Sequence, residues 1–361
     1  MTAASAWDPR ALPSLAGRTV VVTGGNAGIG YFVSEQLAEA GAHVVIAARS
    51  AEKAQLAMAS IRERVADASL AHVPLDLASL ASVRAAAEQI AAFRPLHALV
   101  NNAGRVVASR RRMLTDDGFE LTVGGNFLGH FALSTLLFPA LAEGGRIVGM
   151  GSDSTRMVRL EPDDLWSERR YSPFRAYAFS KHAVQGFQLE LARRLVAAGD
   201  SRMSLLAHPG WATSAYAARR AGITDRDPAA GRFFEALTGW VGQGKDRGAW
   251  PAVRAVADPD AANGMYFGPQ RMLAGRPVPT RPVASSAAPP SAPPSGPTPS
   301  RRPASASPCD ERRRRALPRF RREQPHLRGR TLCRPHVQLL PPMQVVVGHR
   351  GAQAATGARA P

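Results

Sequence analysis

Short apolar runs rich in β-branched residues alternate with amphipathic stretches along most of this chain, and this alternation limits the fold more than any other feature. The first run, "TVVVTG" at residues 19–24, precedes a helical pattern over residues 28–40. Five more runs follow, each separated from the next by a helical pattern, at residues 43–49, 72–76, 96–104, 146–152 and 203–210. Strands this apolar are typical of a parallel sheet that helices cover on both faces. The sequence therefore predicts an α/β fold, a single Rossmann-type domain with a doubly wound parallel sheet.

The composition changes after residue 270. From residue 271 to the end the chain has 17 arginines, no lysine and three acidic residues, so this segment carries +14 of the total net charge of +18. It also holds 17 of the 29 prolines. Such a low-complexity segment cannot build a core. We therefore divide the chain into an N-terminal extension (1–14), a folded domain (15–270) and a Pro- and Arg-rich tail (271–361) that is disordered or aberrant.

Three explanations of this tail stay open. It is a disordered appendage, or an arm that binds nucleic acid or another polyanion through the arginines at 312–315. The third explanation is a frameshift in a GC-rich gene, since the folded part contains only three lysines. Translating the other frames after about residue 275 tests it, because a genuine frameshift should reveal an amphipathic helix in one of them.

The positions of the cysteines and the sequence of the N-terminus indicate the cellular compartment. Cys309 and Cys333 both lie in the tail, so the folded part has no cysteine, which fits a reducing environment. The first residues contain no apolar run as long as a signal peptide requires. No uninterrupted apolar segment is long enough to span a bilayer. We therefore expect a cytoplasmic protein without a membrane span, in which only the tail would contact nucleic acid.

The stretch "TGGNAGIG" at residues 23–30 follows a strand and opens a helix. Gly24, Gly28 and Gly30 allow a tight turn and a close approach of the backbone to a pyrophosphate, whose charge is favoured at a helix N-terminus. Taken alone, these glycines can also form an ordinary tight turn, because their spacing differs from the usual G-x-G-x-x-G. Their position at the first strand–helix junction favours a dinucleotide site.

The end of the second apolar run indicates which dinucleotide binds. Many NAD sites carry an acid here that binds the ribose 2′-hydroxyl. In this chain Ala47 and Ala48 are neutral, and Arg49 follows them. A guanidinium forms charge-assisted hydrogen bonds with a phosphate, so the sequence predicts NADP in preference to NAD. The alternative is an ordinary surface arginine.

The stretch "AYAFSK" at residues 176–181 places Tyr177 and Lys181 on one face of a predicted helix. A cation one helical turn away favours the phenolate form of a tyrosine, which makes the phenol a better proton donor and acceptor near neutral pH. In an arbitrary protein such a pair is more often a solvated surface pair. Here it occurs together with "NNAG" at residues 101–104 and the glycine turn, and this combination indicates an acid/base device.

These motifs, in this order, resemble those of the short-chain dehydrogenase/reductase family over residues 15–270. The stretches "DGFE" (117–120), "NFLGHFAL" (126–133) and "ERRYSPFRAYAFSK" (168–181) are similar to the retinol-dehydrogenase-like branch and to protochlorophyllide reductases. The resemblance implies an NAD(P)-binding catalytic domain that interconverts a hydrophobic carbonyl compound and its alcohol by hydride transfer. It also implies a homo-oligomer.

The resemblance assigns roles to individual residues. Tyr177 is the general acid/base, and Lys181 tunes it and binds the nicotinamide ribose. Ser152 polarises the substrate carbonyl, although it can also cap a turn. The family usually has two serines where this chain has "GS", and Ser154 is a second candidate. Asn126 holds a water molecule for proton relay.

The cofactor contacts implied by the resemblance follow the same motifs. They are Gly24, Asn26, Gly28, Ile29, Gly30, Arg49, Asp76, Leu77, Asn102, Ala103, Gly104, Tyr177, Lys181, Pro209, Gly210 and Thr213. Asp76 can alternatively cap a helix beside Ser79. His130 and His208 are expected to be structural, and no metal site is predicted, because no carboxylate or cysteine lies at a ligand spacing from them.

Three further expectations concern local structure and function. Two consecutive glycines at residues 124 and 125 predict a kink in the helix that carries Asn126. The irregular region from 213 to 251 is expected to form a lid over the substrate. The alternative to an enzyme is a non-catalytic, NADP-binding regulatory protein with a nucleic-acid-binding tail, which would have little need of an intact set of Ser152, Tyr177 and Lys181.

Overall fold

A computed structural model of the protein describes residues 7–214, 216–223 and 242–283. About half of the expected lid lies outside these residues, as do both cysteines, the arginine run at 312–315 and nearly all of the tail. The three explanations of the tail therefore stay predictions.

The described residues contain ten strands. Their bounds are β1 (Thr19–Thr23), β2 (His43–Ala48), β3 (Leu70–Pro74), β4 (Leu96–Asn101), β5 (Leu141–Met150), β6 (Met203–Ala207), β7 (Ala212–Thr213), β8 (Gln243–Gly244), β9 (Tyr266–Pro269) and β10 (Pro277–Thr280).

Eight of these strands form one sheet in the order β10-β9-β6-β5-β4-β1-β2-β3. β1 pairs in parallel with β2 on one side and with β4 on the other, so the strand order reverses beside β1. In open α/β sheets ligands bind outside the carboxyl ends of the strands at such a reversal. The predicted doubly wound α/β fold is confirmed.

Helices lie on both faces of this sheet. Their bounds are α1 (Gly28–Glu39), α2 (Ala51–Arg62), α3 (Leu80–Ala91), α4 (Leu121–Val123), α5 (Gly129–Leu137), α6 (Ser154–Met157), α7 (Pro173–Ala197), α8 (Lys245–Gly248) and α9 (Trp250–Ala257). Short 3₁₀ turns cover Phe138–Ala140 and Pro162–Asp164.

The central strand β1 shows why the apolar runs predict this architecture. Val20 and Val22 pack into the core on the α1 and α2 side, whereas Val21 packs into the core on the α3 and α5 side. All three are at most 1% exposed. Successive strand residues point to opposite faces, so a strand covered on both faces needs an unbroken apolar run.

The folded domain continues beyond the predicted boundary at residue 270. β10 pairs antiparallel with β9 at the edge of the sheet, with Val278 opposite Gly268 and Thr280 opposite Tyr266. The sequence gives little sign of this strand because two of its four residues are proline. An edge strand tolerates proline, since the missing N–H can face away from the partner strand.

The kink expected at the two glycines is present as a π-helical turn over Gly124–Leu128, between α4 and α5. A Cβ on Gly124 would lie 2.6 Å from Thr115 Cγ2. A residue larger than glycine at position 124 would therefore have to displace the Thr115 side chain. π-turns of this kind are frequent at functional sites.

One helical run in the described part of the chain, Leu121–Ala140, is long and apolar enough to cross a membrane by length and composition. This differs from the expectation that no segment reaches that length. More than half of the run is buried inside the protein, and Leu133 and Leu137 belong to its core. A helix that is apolar on most sides is also what the interior of a large domain requires.

Candidate active site

A cleft of about 540 Å³ lies at the carboxyl edge of the sheet, lined by residues that follow β1, β2, β3 and β4. It brings together all the predicted cofactor contacts of these four loops. They are Gly24, Asn26, Gly28, Ile29, Gly30, Arg49, Asp76, Leu77, Asn102, Ala103 and Gly104. Asn126 also lines the cleft, whereas the other predicted catalytic residues lie outside its lining.

The glycine turn packs tightly against the loop after β4. Gly24 and Gly28 have φ values of +65° and +58°, a backbone conformation that residues with a Cβ rarely adopt. A Cβ on Gly30 would lie 2.3 Å from both Gly24 O and Asn102 Nδ2. The Asn102 amide donates to Thr23 O at 2.9 Å. The turn is therefore a backbone cradle at the first turn of α1, which fits a pyrophosphate.

Arg49 reaches the cleft from the end of β2. Its side chain is 61% exposed, and its guanidinium lies 3.9 Å from Asp76 Oδ2. A loose, exposed pair of this kind contributes little to stability. Asp76 does not cap the following helix, because Ser79 is the N-cap of α3. The Arg49 guanidinium is therefore available to a phosphate group in the cleft.

Tyr177 and Lys181 lie in the first half of α7, which begins with Ser172 as its N-cap. The Lys181 side chain is buried, and its Nζ donates to Met150 O at 2.9 Å, at the end of β5. The same Nζ lies 5.6 Å from the centroid of the Tyr177 ring. Lys181 is therefore fastened to the carboxyl edge of the sheet beside Tyr177 and is not a solvated surface lysine.

Asn126 joins this pair to the end of the cleft. Its amide bonds both the N–H and the C=O of Arg105 at 3.0 Å, and its Nδ2 donates to Ser180 Oγ at 3.1 Å. A Cβ on Gly104 would lie 3.5 Å from Lys181 Nζ and 3.6 Å from Asn126 Oδ1. The Asn126 side chain thus holds the loop after β4 against α7. The role of Asn126 in holding a relay water stays a prediction.

Ser152 lies in the loop after β5 and is attached to the same helix. Its C=O accepts from Gln185 Nε2 on α7 at 3.3 Å, and its Oγ accepts from Ser154 N at 3.2 Å. Ser154 itself is buried, and its Oγ has no hydrogen-bond partner among the described residues. Of the two candidate serines, Ser152 is the more accessible.

The predicted carboxamide contacts lie in the loop after β6. Gly210 has a φ of +64°, and a Cβ there would lie 2.4 Å from Leu273 O, so this turn requires glycine. Pro209 O accepts from Gln243 Nε2 at 2.9 Å. Within the described chain Thr213 Oγ1 is buried and unpaired. A buried hydroxyl without a partner fits a cofactor that supplies one.

Several known proteins are similar to this chain in sequence. The profile of the family described as short chain dehydrogenase matches residues 18–215. The polyprenol dehydrogenase of Mus musculus is 42% identical over 261 residues, which cover 70% of this chain and 75% of that protein. Retinol dehydrogenase 11 of Homo sapiens is 39% identical over 199 residues, covering 54% and 61%.

The chain belongs to the short-chain dehydrogenase/reductase family. The resemblance drawn from the sequence is confirmed, including its retinol-dehydrogenase-like branch, and the protein is an NAD(P)-dependent oxidoreductase that acts on CH–OH groups. Its relatives are named dehydrogenases, so they give no support to a non-catalytic regulatory protein.

Solved structures similar to this chain include complexes with NADP. A short-chain dehydrogenase from Burkholderia cenocepacia J2315 in complex with NADP is 28% identical, with a TM-score of 0.56 over 73% of this chain and 98% of that one. An uncharacterised protein from Mycobacterium Paratuberculosis is 34% identical, with a TM-score of 0.61 over 78% and 91%. NADP is the cofactor of this dehydrogenase, as predicted. The cytoplasmic location and the homo-oligomer stay predictions.

Two features of the dehydrogenase's site have no local signal in the sequence. Lys245, far along the chain, lines the cofactor cleft. Asp153 Oδ2 lies 3.4 Å from Nδ1 of the buried His208, so this histidine has a carboxylate partner that sequence spacing could not reveal. Burial lowers the pKa of His208, while the charge of Asp153 opposes that shift.

His130 is a structural histidine of the site. Its Nε2 lies 2.8 Å from Thr23 Oγ1, at the start of the glycine turn, and its Nδ1 lies 2.9 Å from Asn126 O in the π-turn. The imidazole is 4% exposed. It therefore connects the cofactor turn to the helix that carries Asn126, as expected for a packed histidine with a structural role.

The burial of His130 predicts a loss of stability in acid. Burial, aided by the Lys181 charge, lowers the pKa of His130 to about 4, against about 6.5 in the unfolded chain. The unfolded state therefore binds the proton more tightly, and the free energy of unfolding should fall by about 3 kcal/mol as the pH drops from 6.5 through 4. Urea unfolding measured across this range should show a shallower acid slope for His130→Gln than for the wild type. Parallel slopes would contradict the assignment.

Proposed function

We propose that this dehydrogenase interconverts a hydrophobic, isoprenoid-type primary alcohol and its aldehyde with NADP, and that Tyr177 is the general acid/base. The observation that carries the proposal is the placement of Tyr177, buried Lys181 and Asn126 together at the end of the cofactor cleft. The names of two relatives, a polyprenol dehydrogenase and a retinol dehydrogenase, support an alcohol of this chemical class.

Different residues of the site would hold the adenosine half and the nicotinamide half of NADP. The glycine turn would receive the pyrophosphate, Arg49 the 2′-phosphate, and Asp76 with Leu77 the adenine. The stretch Asn102–Gly104 would flank the nicotinamide ribose together with Lys181. The loop at Pro209, Gly210 and Thr213 would contact the carboxamide, for which the unpaired Thr213 hydroxyl is suited.

When bound, NADPH would supply the hydride for reduction, and NADP⁺ would accept it during oxidation. During reduction, Tyr177 donates its phenolic proton to the oxygen of the substrate, while the Ser152 hydroxyl donates a hydrogen bond to the same oxygen. During oxidation, Tyr177 takes that proton back from the alcohol. The Lys181 cation stabilises the phenolate that remains after each donation. A positioned acid/base contributes about 10²–10⁴-fold to the rate.

Exposed apolar side chains near the predicted nicotinamide end support a hydrophobic substrate. Val106, in the loop after β4, is 51% exposed. Met157, after the Ser152 loop, is 75% exposed, and Trp211, beside Gly210, is 41% exposed. These residues follow β4, β5 and β6, as do Gly104, Ser152 and Pro209. An apolar surface of this kind is common around sites that bind apolar ligands.

The proposed function is tested by a substrate panel with NADPH and NADH side by side. We expect turnover of long-chain isoprenoid aldehydes such as retinal, with lower kcat/KM for short aldehydes and none for sugars, and a preference for NADPH. Consumption of NADPH without any aldehyde serves as the blank. If NADPH binds but no aldehyde or alcohol on the panel is converted, the enzyme lacks the proposed activity.

A further inference from the structure

Lys245 is held beside the cofactor cleft by two backbone anchors. It is the first residue of α8, directly after β8, and β8 pairs with β7 through Thr213 and Gly244. On the other side, Gln36 of α1 donates to Asp246 O at 2.8 Å. The backbone at Lys245 is thereby fixed between the loop after β6 and the helix that begins at the glycine turn.

The Lys245 ammonium has no acidic partner among the described residues. Its Nζ contacts the hydroxyl of Ser214, which is neutral. The charged side chains that line the cleft are Arg49, Asp76, Arg105 and Lys245, so the lining has an excess of two positive charges. A cation held by a neutral hydroxyl in a positive cleft is suited to an anionic group of a ligand.

The position of Lys245 distinguishes between the two phosphate groups of NADP. Arg49 follows β2 and pairs loosely with Asp76, on the side of the cleft away from β6. Lys245 lies instead beside Thr213, which follows β6, and its helix contacts α1. We propose that Lys245 binds the pyrophosphate of NADP and that Arg49 alone binds the 2′-phosphate.

The chain contains three lysines, and one of them provides a matched control for this proposal. Lys181 belongs to the active site. Lys53 lies on α2 with its side chain exposed and does not line the cleft. Lys53→Ala therefore removes one lysine charge from the same protein without touching the cofactor site.

The test measures dissociation constants of NADPH and NADH by equilibrium titration without substrate, so its outcome does not depend on the proposed reaction. Lys245→Ala should weaken both cofactors by about tenfold, as expected for one hydrogen bond to a charged group. Lys245→Arg should restore most of the affinity, and Lys53→Ala should change neither constant. Arg49→Ala should weaken NADPH and leave NADH unchanged.

Fragments of the cofactor sharpen the assignment. ADP-ribose, which has the pyrophosphate but no 2′-phosphate, should bind more weakly to Lys245→Ala. Adenosine 2′-phosphate should bind as it does to the wild type. If Lys245→Ala has a lowered thermal unfolding midpoint, the same titrations are made with Lys245→Met. That variant keeps the aliphatic part of the side chain and removes only the charge. Unchanged affinities in these variants, or a loss confined to NADPH and adenosine 2′-phosphate, would overturn the proposal.

Discussion

Replacement of Tyr177 by phenylalanine is expected to lower kcat for aldehyde reduction by at least about a hundredfold, the lower end of what a positioned acid/base contributes. The variant keeps the ring beside Lys181 but has no proton to donate. Tyr177 is also a predicted cofactor contact, but the glycine turn and Arg49 are unchanged in the variant. The dissociation constant of NADPH should therefore rise far less than kcat falls. Steady-state kinetics and a cofactor titration on the same preparation measure both quantities.

Tyr171→Phe is the matched control for this prediction. Tyr171 lies just before α7, and its hydroxyl donates to Ser109 O at a long 3.3 Å. Removing that hydroxyl should change kcat little, because it contacts a backbone oxygen and no predicted catalytic group. If Tyr177→Phe retained the wild-type kcat, another group would supply the proton and the proposed mechanism would fail.

The cofactor half of the site could be predicted because it depends on local patterns. The apolar runs locate the strands, and the carboxyl ends of parallel strands meet at one edge of a sheet. Residues directly after β1, β2 and β4 are therefore neighbours in space, although they are far apart in the sequence. This is why Gly24, Arg49 and Asn102 line one cleft. The π-turn at Gly124 was also predictable as a kink, from two helix-disfavouring residues in a row.

The remaining features depend on contacts that no local pattern encodes. Lys245 reaches the cleft only because β8 pairs with β7 and because Gln36 holds the backbone at Asp246. Asp153 and His208 follow different strands, and only the pairing of β5 with β6 brings them together. β10 was missed because its prolines argue against a strand, and they are tolerated only at the sheet edge. Local propensity cannot anticipate such tertiary placement.

Replacement of Gly30 by alanine is expected to remove NADPH binding and to destabilise the cofactor-free protein. The new Cβ would lie 2.3 Å from Gly24 O, a backbone atom that cannot move without opening the turn, and equally close to the Asn102 amide that holds Thr23. Overpacking at buried contacts costs about 1–3 kcal/mol, and we expect the upper end of that range because two contacts are violated. Urea unfolding without and with NADPH measures both effects.

Gly125→Ala is the matched control for this prediction. It tests whether any added side chain in the cleft is harmful or only one that meets the backbone at position 30. Gly125 lines the same cleft, but a Cβ there meets no protein atom within 4 Å. The cofactor-free Gly125→Ala protein should be as stable as the wild type, or more stable by up to about 1 kcal/mol, because alanine favours helix over glycine. Gly30→Ala should be the less stable variant by about 3 kcal/mol, and NADPH should not raise its midpoint. Equal stabilities would show that the turn can open without loss, and the backbone cradle would then not explain why position 30 is glycine.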